Sequence, residues 1–124
     1  MKLVDTSAWI ESLRPSGDPD VRERVRSLLV QGDAAWCAMV RLELWNGARG
    51  EHEKGVLRDM EENLIELETA PAVWRLAFEL ARKARGAGHT IPPTDILIAA
   101  CARHHKVAVE HADAHFLILE KIRG

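Results

Sequence analysis

The sequence predicts an α/β domain built on a mainly parallel sheet. Short apolar runs alternate with segments of helical periodicity along the chain, and turn or cap residues separate them. No repeat, linker or low-complexity tract breaks the alternation, and strands that alternate with helices form parallel layers joined by right-handed crossovers. A length of 124 residues, 47% of them apolar and 29% charged, fits one globular domain over 1–124. At this size folding buries about two-thirds of the surface exposed by the unfolded chain, so the core needs no disulfide staples.

Leu3-Val4 ends a first buried strand, and the cap-forming cluster Asp5-Thr6-Ser7 leads into a helix over 8–13. Residues 15–19 form a loop by composition. Asp20 is expected to cap an amphipathic helix in which Val21, Val25, Leu28 and Leu29 recur at helical spacing, ended by Gly32-Asp33. The apolar run 34–38 around Trp36 reads as a second strand, followed by a helix over 39–48 that stops near Gly47 and Gly50. Residues 51–63 form a charged, solvent-facing helix, 64–67 a third strand, and Ala70-Pro71 opens a long helix from 72 to about 85 that Gly86 and Gly88 close. Pro92-Pro93 cannot sit inside a helix, whereas Thr94-Asp95 can start one. The segment they start runs to about His104 and is apolar nearly all round, so it must be buried. Residues 107–109 form a fourth strand, and 116–119 belong to a terminal helix or strand.

A net charge of -2 argues against a protein that coats nucleic acid through bulk positive charge, though a local basic patch is compatible with it. Cys37 and Cys101 lie in apolar stretches without metal-type spacing and read as buried free thiols of a reducing compartment. No apolar run, 96–102 included, is long enough to span a bilayer, and Asp5 interrupts any N-terminal signal core. The expectation is a cytoplasmic protein with no membrane association.

Four acids stand out by position. Asp5 follows the first strand, Glu43 lies early in the helix after the second, Asp95 opens the buried helix, and Asp113 follows the fourth strand. In βαβ topology the carboxyl ends of strands and the amino ends of the following helices share one edge of the sheet, where ligands bind. Each acid also has a plain structural reading: Asp5 and Asp95 as helix caps, Asp113 as a turn residue. Glu43 is harder to dismiss, because Arg41 and Glu43 are about 200° apart on a helix otherwise written with apolar residues. Four independent caps need not fall on one rim. Clustered carboxylates repel, by about 4 kcal/mol for two unit charges ~4 Å apart at an effective dielectric of 20, and oxygen ligands without Cys select hard ions such as Mg²⁺ or Mn²⁺. The chemistry that follows is phosphodiester hydrolysis.

The segments Met1 to Ile10, Arg41-Leu42-Glu43-Leu44, Pro93 to Ala100 and His111 to Phe116 resemble, in order and interval, the successive motifs of PIN-domain ribonucleases, in particular the VapC toxins of type II toxin–antitoxin systems. The likeness covers essentially the whole chain. It implies a three-layer α/β/α sandwich, a Mg²⁺- or Mn²⁺-dependent endoribonuclease acting on RNA, a homodimer, and inhibition by a cognate VapB-type antitoxin whose tail brings an Arg to the acidic pocket. Carried over residue by residue, it makes Asp5, Glu43, Asp95 and Asp113 the metal-binding and catalytic acids, with the Thr6 or Ser7 hydroxyl at or beside the ion.

Many relatives carry another acid two positions after the last one, where this chain has His115. That substitution weakens a second ion or turns preference towards Mn²⁺ if the nitrogen ligates; packing or contact with solvent or RNA is the plainer reading. In an extended segment His111, Asp113 and His115 would share a face and could form a transition-metal site of their own. Arg14, Arg41 and Arg49 are candidates to line an RNA groove near the rim, against a default of solvated surface charge. The alternative function is a noncatalytic RNA- or partner-binding module on the same fold. A signalling receiver domain fits poorly, since no mid-chain strand ends in the aspartate it would need.

Overall fold

The computed structural model describes residues 1–123. In chain order these form β1 (Lys2–Val4), α1 (Thr6–Leu13), α2 (Pro19–Gln31), β2 (Ala34–Cys37), α3 (Ala38–Gly47) and α4 (Gly50–Asn63). There follow β3 (Ile65–Leu67), α5 (Pro71–Gly86), α6 (Pro93–His104), β4 (Ala108–Glu110) and α7 (Ala114–Glu120). Every expected element is present, and the ambiguous C-terminal segment is a helix.

The four strands pair in the order β3-β2-β1-β4, all parallel. All four residues of β2 are buried, which is why it reads as an unbroken apolar run rather than an alternating one. Two connections step one strand at a time in one direction, from β1 to β2 to β3, and the third returns across the sheet to place β4 on the far side of β1. With right-handed crossovers this reversal puts α1 to α4 on one face and α5 and α6 on the other, giving three layers. It also makes the β1/β4 junction the topological switch point, where a crevice opens beyond the strand ends.

The core is continuous across the sheet. Trp9 and Trp36 are each 1% exposed, and Leu3, Val25, Val40, Val73 and Ile98 are fully buried; burying such a side chain contributes about 1.5–3 kcal/mol. Helix α6 is sequestered from Asp95 through Ala102, as its all-round apolarity requires, and its small residues Ala99, Ala100 and Ala102 leave room for the neighbouring layers. Glu110 is buried at the end of β4 with both of its carboxylate oxygens paired, to Lys2 at 3.5 Å and Arg24 at 3.0 Å. Its carbonyl accepts from Asp5 N at 2.9 Å, which fastens the ends of β1 and β4 together at the switch point. Cys37 and Cys101 are buried free thiols. No helix of the described residues is long and apolar enough to cross a membrane.

Two local expectations are corrected. Helix α2 is capped by Asp18, not Asp20: the Asp18 carboxylate accepts from Asp20 N at 2.8 Å and Val21 N at 3.4 Å, and Pro19 takes the first helical position, where a missing N–H goes unused. Helix α4 is not simply solvent-facing, because Leu57 and Met60 turn into the core.

Candidate metal centre

Asp5, Asp95 and Asp113 are placed by a strand end or a helix start, and Glu43 by the middle of α3. Asp5 N-caps α1: its Oδ2 accepts from Ser7 N at 3.0 Å and from Ser7 Oγ at 2.6 Å. The same Ser7 Oγ accepts from Ala112 N at 2.9 Å, so one hydroxyl orients Asp5 and ties down the loop that carries Asp113. Thr6 Oγ1 donates to Glu43 Oε1 at 2.8 Å and draws the α3 carboxylate towards the start of α1. Asp113 N-caps α7, its Oδ1 accepting from His115 N at 2.9 Å. Asp95 lies in the first turn of α6 but caps nothing, since the N-cap is Pro92. For Asp5 and Asp113 the structural and functional readings therefore coexist; for Asp95 the capping reading fails.

Charge repulsion links Asp5 to each of the other three acids and Asp95 to Asp113, whereas Glu43 feels Asp5 alone. Burial pushes the Asp5 carboxyl above its usual range and the Asp113 charge pushes it further, against the hydrogen bonds from Ser7 and Thr6. Glu43 is raised by burial and by the Asp5 charge, with the Thr6 hydroxyl opposing. Asp95 is pushed up to about 6, first by burial and then by Asp113 and Asp5, with His115 opposing. Asp5 is thus the hub of the cluster. Among the described residues no Lys or Arg pairs with any of the four; the basic side chain at hand is His115, whose Nδ1 lies 3.0 Å from both Asp95 Oδ2 and Asp113 Oδ1.

These residues fit a divalent ion. Asp5 is 2% exposed and its Oδ1 is buried without a hydrogen-bond partner, a costly state unless something else satisfies that oxygen. One donor atom each from Asp95, Asp113 and His115 lies within 4.8 Å of the others. Carboxylate oxygens without a thiolate suit Mg²⁺ or Mn²⁺, and the imidazole beside them is a donor that transition ions accept.

Of the other expected residues, Thr6 and Ser7 touch the acids directly, and His115 joins the cluster. Arg41 does not: Glu61 at 2.7 Å and Glu66 at 3.1 Å hold its guanidinium on the side of α3 away from Glu43. That resolves the Arg41/Glu43 conflict, with Glu43 as the inward member. The extended His111-Asp113-His115 face is also corrected, because α7 begins between these residues. His111 instead meets Glu120 Oε1 at 3.3 Å and stacks on Phe116. An open groove of about 450 Å³ runs from Glu43 between α1, α3 and α4, with Arg14, Arg49, His52 and Glu53 among its lining. His52 and Glu53 had no signal in the sequence, where α4 reads as surface.

The family profile described as PIN domain matches residues 2–122. Ribonuclease VapC11 of Mycobacterium tuberculosis is 36% identical over 126 residues, covering 98% of this chain and 93% of that protein. Ribonuclease VapC21 of the same species is 32% identical over 117 residues, 92% and 82% of the two chains. Among solved structures, FitAcB from Neisseria gonorrhoeae superposes with a TM-score of 0.72 at 24% identity, over 97% of this chain and 94% of that one, a likeness of fold. The topology, the acidic rim at its switch point and a family match across nearly the full length agree: the chain belongs to the PIN-domain family, with VapC ribonucleases among its relatives.

Proposed function

We propose that this chain is a VapC-type endoribonuclease toxin of the cytoplasm, which hydrolyses RNA phosphodiester bonds with Mg²⁺ or Mn²⁺ and is neutralised by a small VapB-type antitoxin. The observation that carries the reading is the gathering of Asp95 and Asp113 about Asp5 at one rim, with Glu43 joined to it from α3 through Thr6 and a buried Asp5 oxygen lacking any partner. Relatives named ribonucleases, at 36% and 32% identity over nearly the whole chain, support the same chemistry.

Asp5, Asp95 and Asp113, with Glu43, are the residues that would hold the ion. Such an ion would supply a water activated near neutral pH and would offset charge on the phosphoryl oxygens. The chain supplies preorganisation. Ser7 locks the Asp5 rotamer, Thr6 locks Glu43, and burial of Asp5 and Asp95 keeps bulk water from screening the field. Arg14 and Arg49 in the groove beside Glu43 receive the backbone phosphates of RNA. A second copy of the chain covers Trp74 and Phe78, which are 45% and 56% exposed on α5 beside an apolar groove.

The test is cleavage of structured RNA by the purified chain with and without added Mg²⁺ or Mn²⁺. Cleavage is expected only with a divalent ion, and Asp5→Asn or Asp95→Asn abolishes it while the circular dichroism spectrum stays folded. Cleavage that survives both substitutions, or proceeds in chelator, contradicts the proposal.

A further inference from the structure

We propose that His115 binds the divalent ion directly through Nδ1, and that this nitrogen makes the centre prefer Mn²⁺ over Mg²⁺. The inference rests on the metal centre proposed above and assigns to this chain a ligand outside the acidic set.

The geometry leaves His115 little other use. Its backbone N–H donates to Asp113 Oδ1 at 2.9 Å, and its side-chain Nδ1 lies 3.0 Å from that same oxygen. The ring is therefore pinned at the first turn of α7 and directed back over the carboxylate that caps it. Nδ1 reaches Asp95 Oδ2 at an equal 3.0 Å, so one nitrogen sits between two carboxylates delivered by different elements. A bare nitrogen lone pair facing two carboxylate oxygens is repulsive; only an electrophile shared among the three makes the arrangement attractive. Without metal, a hydrogen shared among the three atoms fills that role. A divalent ion occupies the same role with more charge.

The distances suit the exchange. Adjacent ligands around an octahedral ion with bonds of ~2.1 Å lie about 3.0 Å apart, the separation of Nδ1 from each carboxylate oxygen. Asp5 supplies an independent pointer, since its partnerless buried Oδ1 belongs to a carboxylate electrostatically coupled to both Asp95 and Asp113. Four carboxylates alone would hold Mg²⁺ and Mn²⁺ with little distinction beyond size and geometry. An imidazole ligand discriminates, because Mg²⁺ demands oxygen donors and gives up its waters reluctantly, whereas first-row transition ions accept nitrogen.

The experiment is equilibrium binding of Mn²⁺ to the full chain, followed by electron paramagnetic resonance, with electron spin-echo modulation of the bound ion and displacement by Mg²⁺. The wild type is expected to show the ¹⁴N modulation of a directly bound imidazole. His115→Asp keeps an oxygen donor at the position; it should still bind Mn²⁺ but lose the nitrogen signal, and the Mg²⁺ concentration needed to displace Mn²⁺ should fall on the order of tenfold, the scale of losing one oriented group around a metal. Bound Mn²⁺ with no ¹⁴N modulation in the wild type overturns the inference while leaving the acidic centre intact, and so does modulation that persists in His115→Asp. Mn²⁺ affinity unaffected by Asp95→Asn overturns the metal centre itself, and this inference with it.

Discussion

Replacing Asp95 by Asn should make the metal-free protein more stable, by an amount that depends on pH. Burial and the neighbouring Asp113 and Asp5 charges raise the Asp95 carboxyl from its ordinary value of 3.8 to about 6. The folded chain therefore holds this proton more tightly than the unfolded chain. Below about pH 4 both states are protonated and Asp95 imposes no penalty. Between about pH 4 and 6 the unfolded chain releases the proton first, and above 6 the folded state must carry the charge as well. At about 1.4 kcal/mol per tenfold difference in proton affinity, the full penalty is about 3 kcal/mol. Asn keeps the shape without the charge, so its melting temperature in chelator should exceed that of the wild type by roughly 10 °C near neutral pH and converge with it near pH 4. Mn²⁺ at a thousand times its Kd should reverse the order, since it stabilises the wild type by about 4.1 kcal/mol, more than the penalty it offsets. Thermal unfolding of both proteins across this pH range is the assay. An Asn advantage that is absent near neutral pH, or the same at every pH, refutes the reasoning.

Ser7→Ala removes a hydroxyl that donates to Asp5 and accepts from Ala112 N, and should cost about 1–3 kcal/mol while weakening divalent binding, both read by calorimetry. Arg49→Ala should raise KM for RNA with kcat unchanged, whereas Arg41→Ala, whose guanidinium is taken up by Glu61 and Glu66, should move neither in steady-state cleavage assays. Asp18→Ala should cost about 1 kcal/mol in denaturant unfolding through loss of the α2 cap, with RNA cleavage unaffected.

The parallel sheet and the acidic rim were legible for one reason: in this topology, position along the chain decides position in space. Residues in the turn between a strand and the next helix lie at the carboxyl edge, which is how Asp5 and Asp113 could be placed together although more than a hundred residues separate them. Glu43 could be singled out because it and Arg41 cannot share one narrow polar face. What failed turned on local geometry that one residue type cannot specify. Asp18 and Asp20 are both good caps, and Pro19, which must come at the very start of the helix, decides between them. His111 and His115 look equivalent if the segment is extended and diverge once Asp113 starts a helix between them. The buried face of α4 escaped notice because Leu57 and Met60 are sparse among charged residues. Nothing in the sequence could show that Ser7 joins Asp5 to the Ala112 backbone, since that bond depends on how closely the ends of β1 and β4 approach.

The central claim is that oxygens from Asp5, Glu43, Asp95 and Asp113 surround one divalent site at the β1/β4 switch point. Anomalous scattering from crystals equilibrated with Mn²⁺ tests it most directly. A peak is expected within the carboxylates of Asp5, Asp95 and Asp113, with Glu43 on the groove side. A saturated crystal with its strongest peak elsewhere on the chain, and none among these residues, would contradict it.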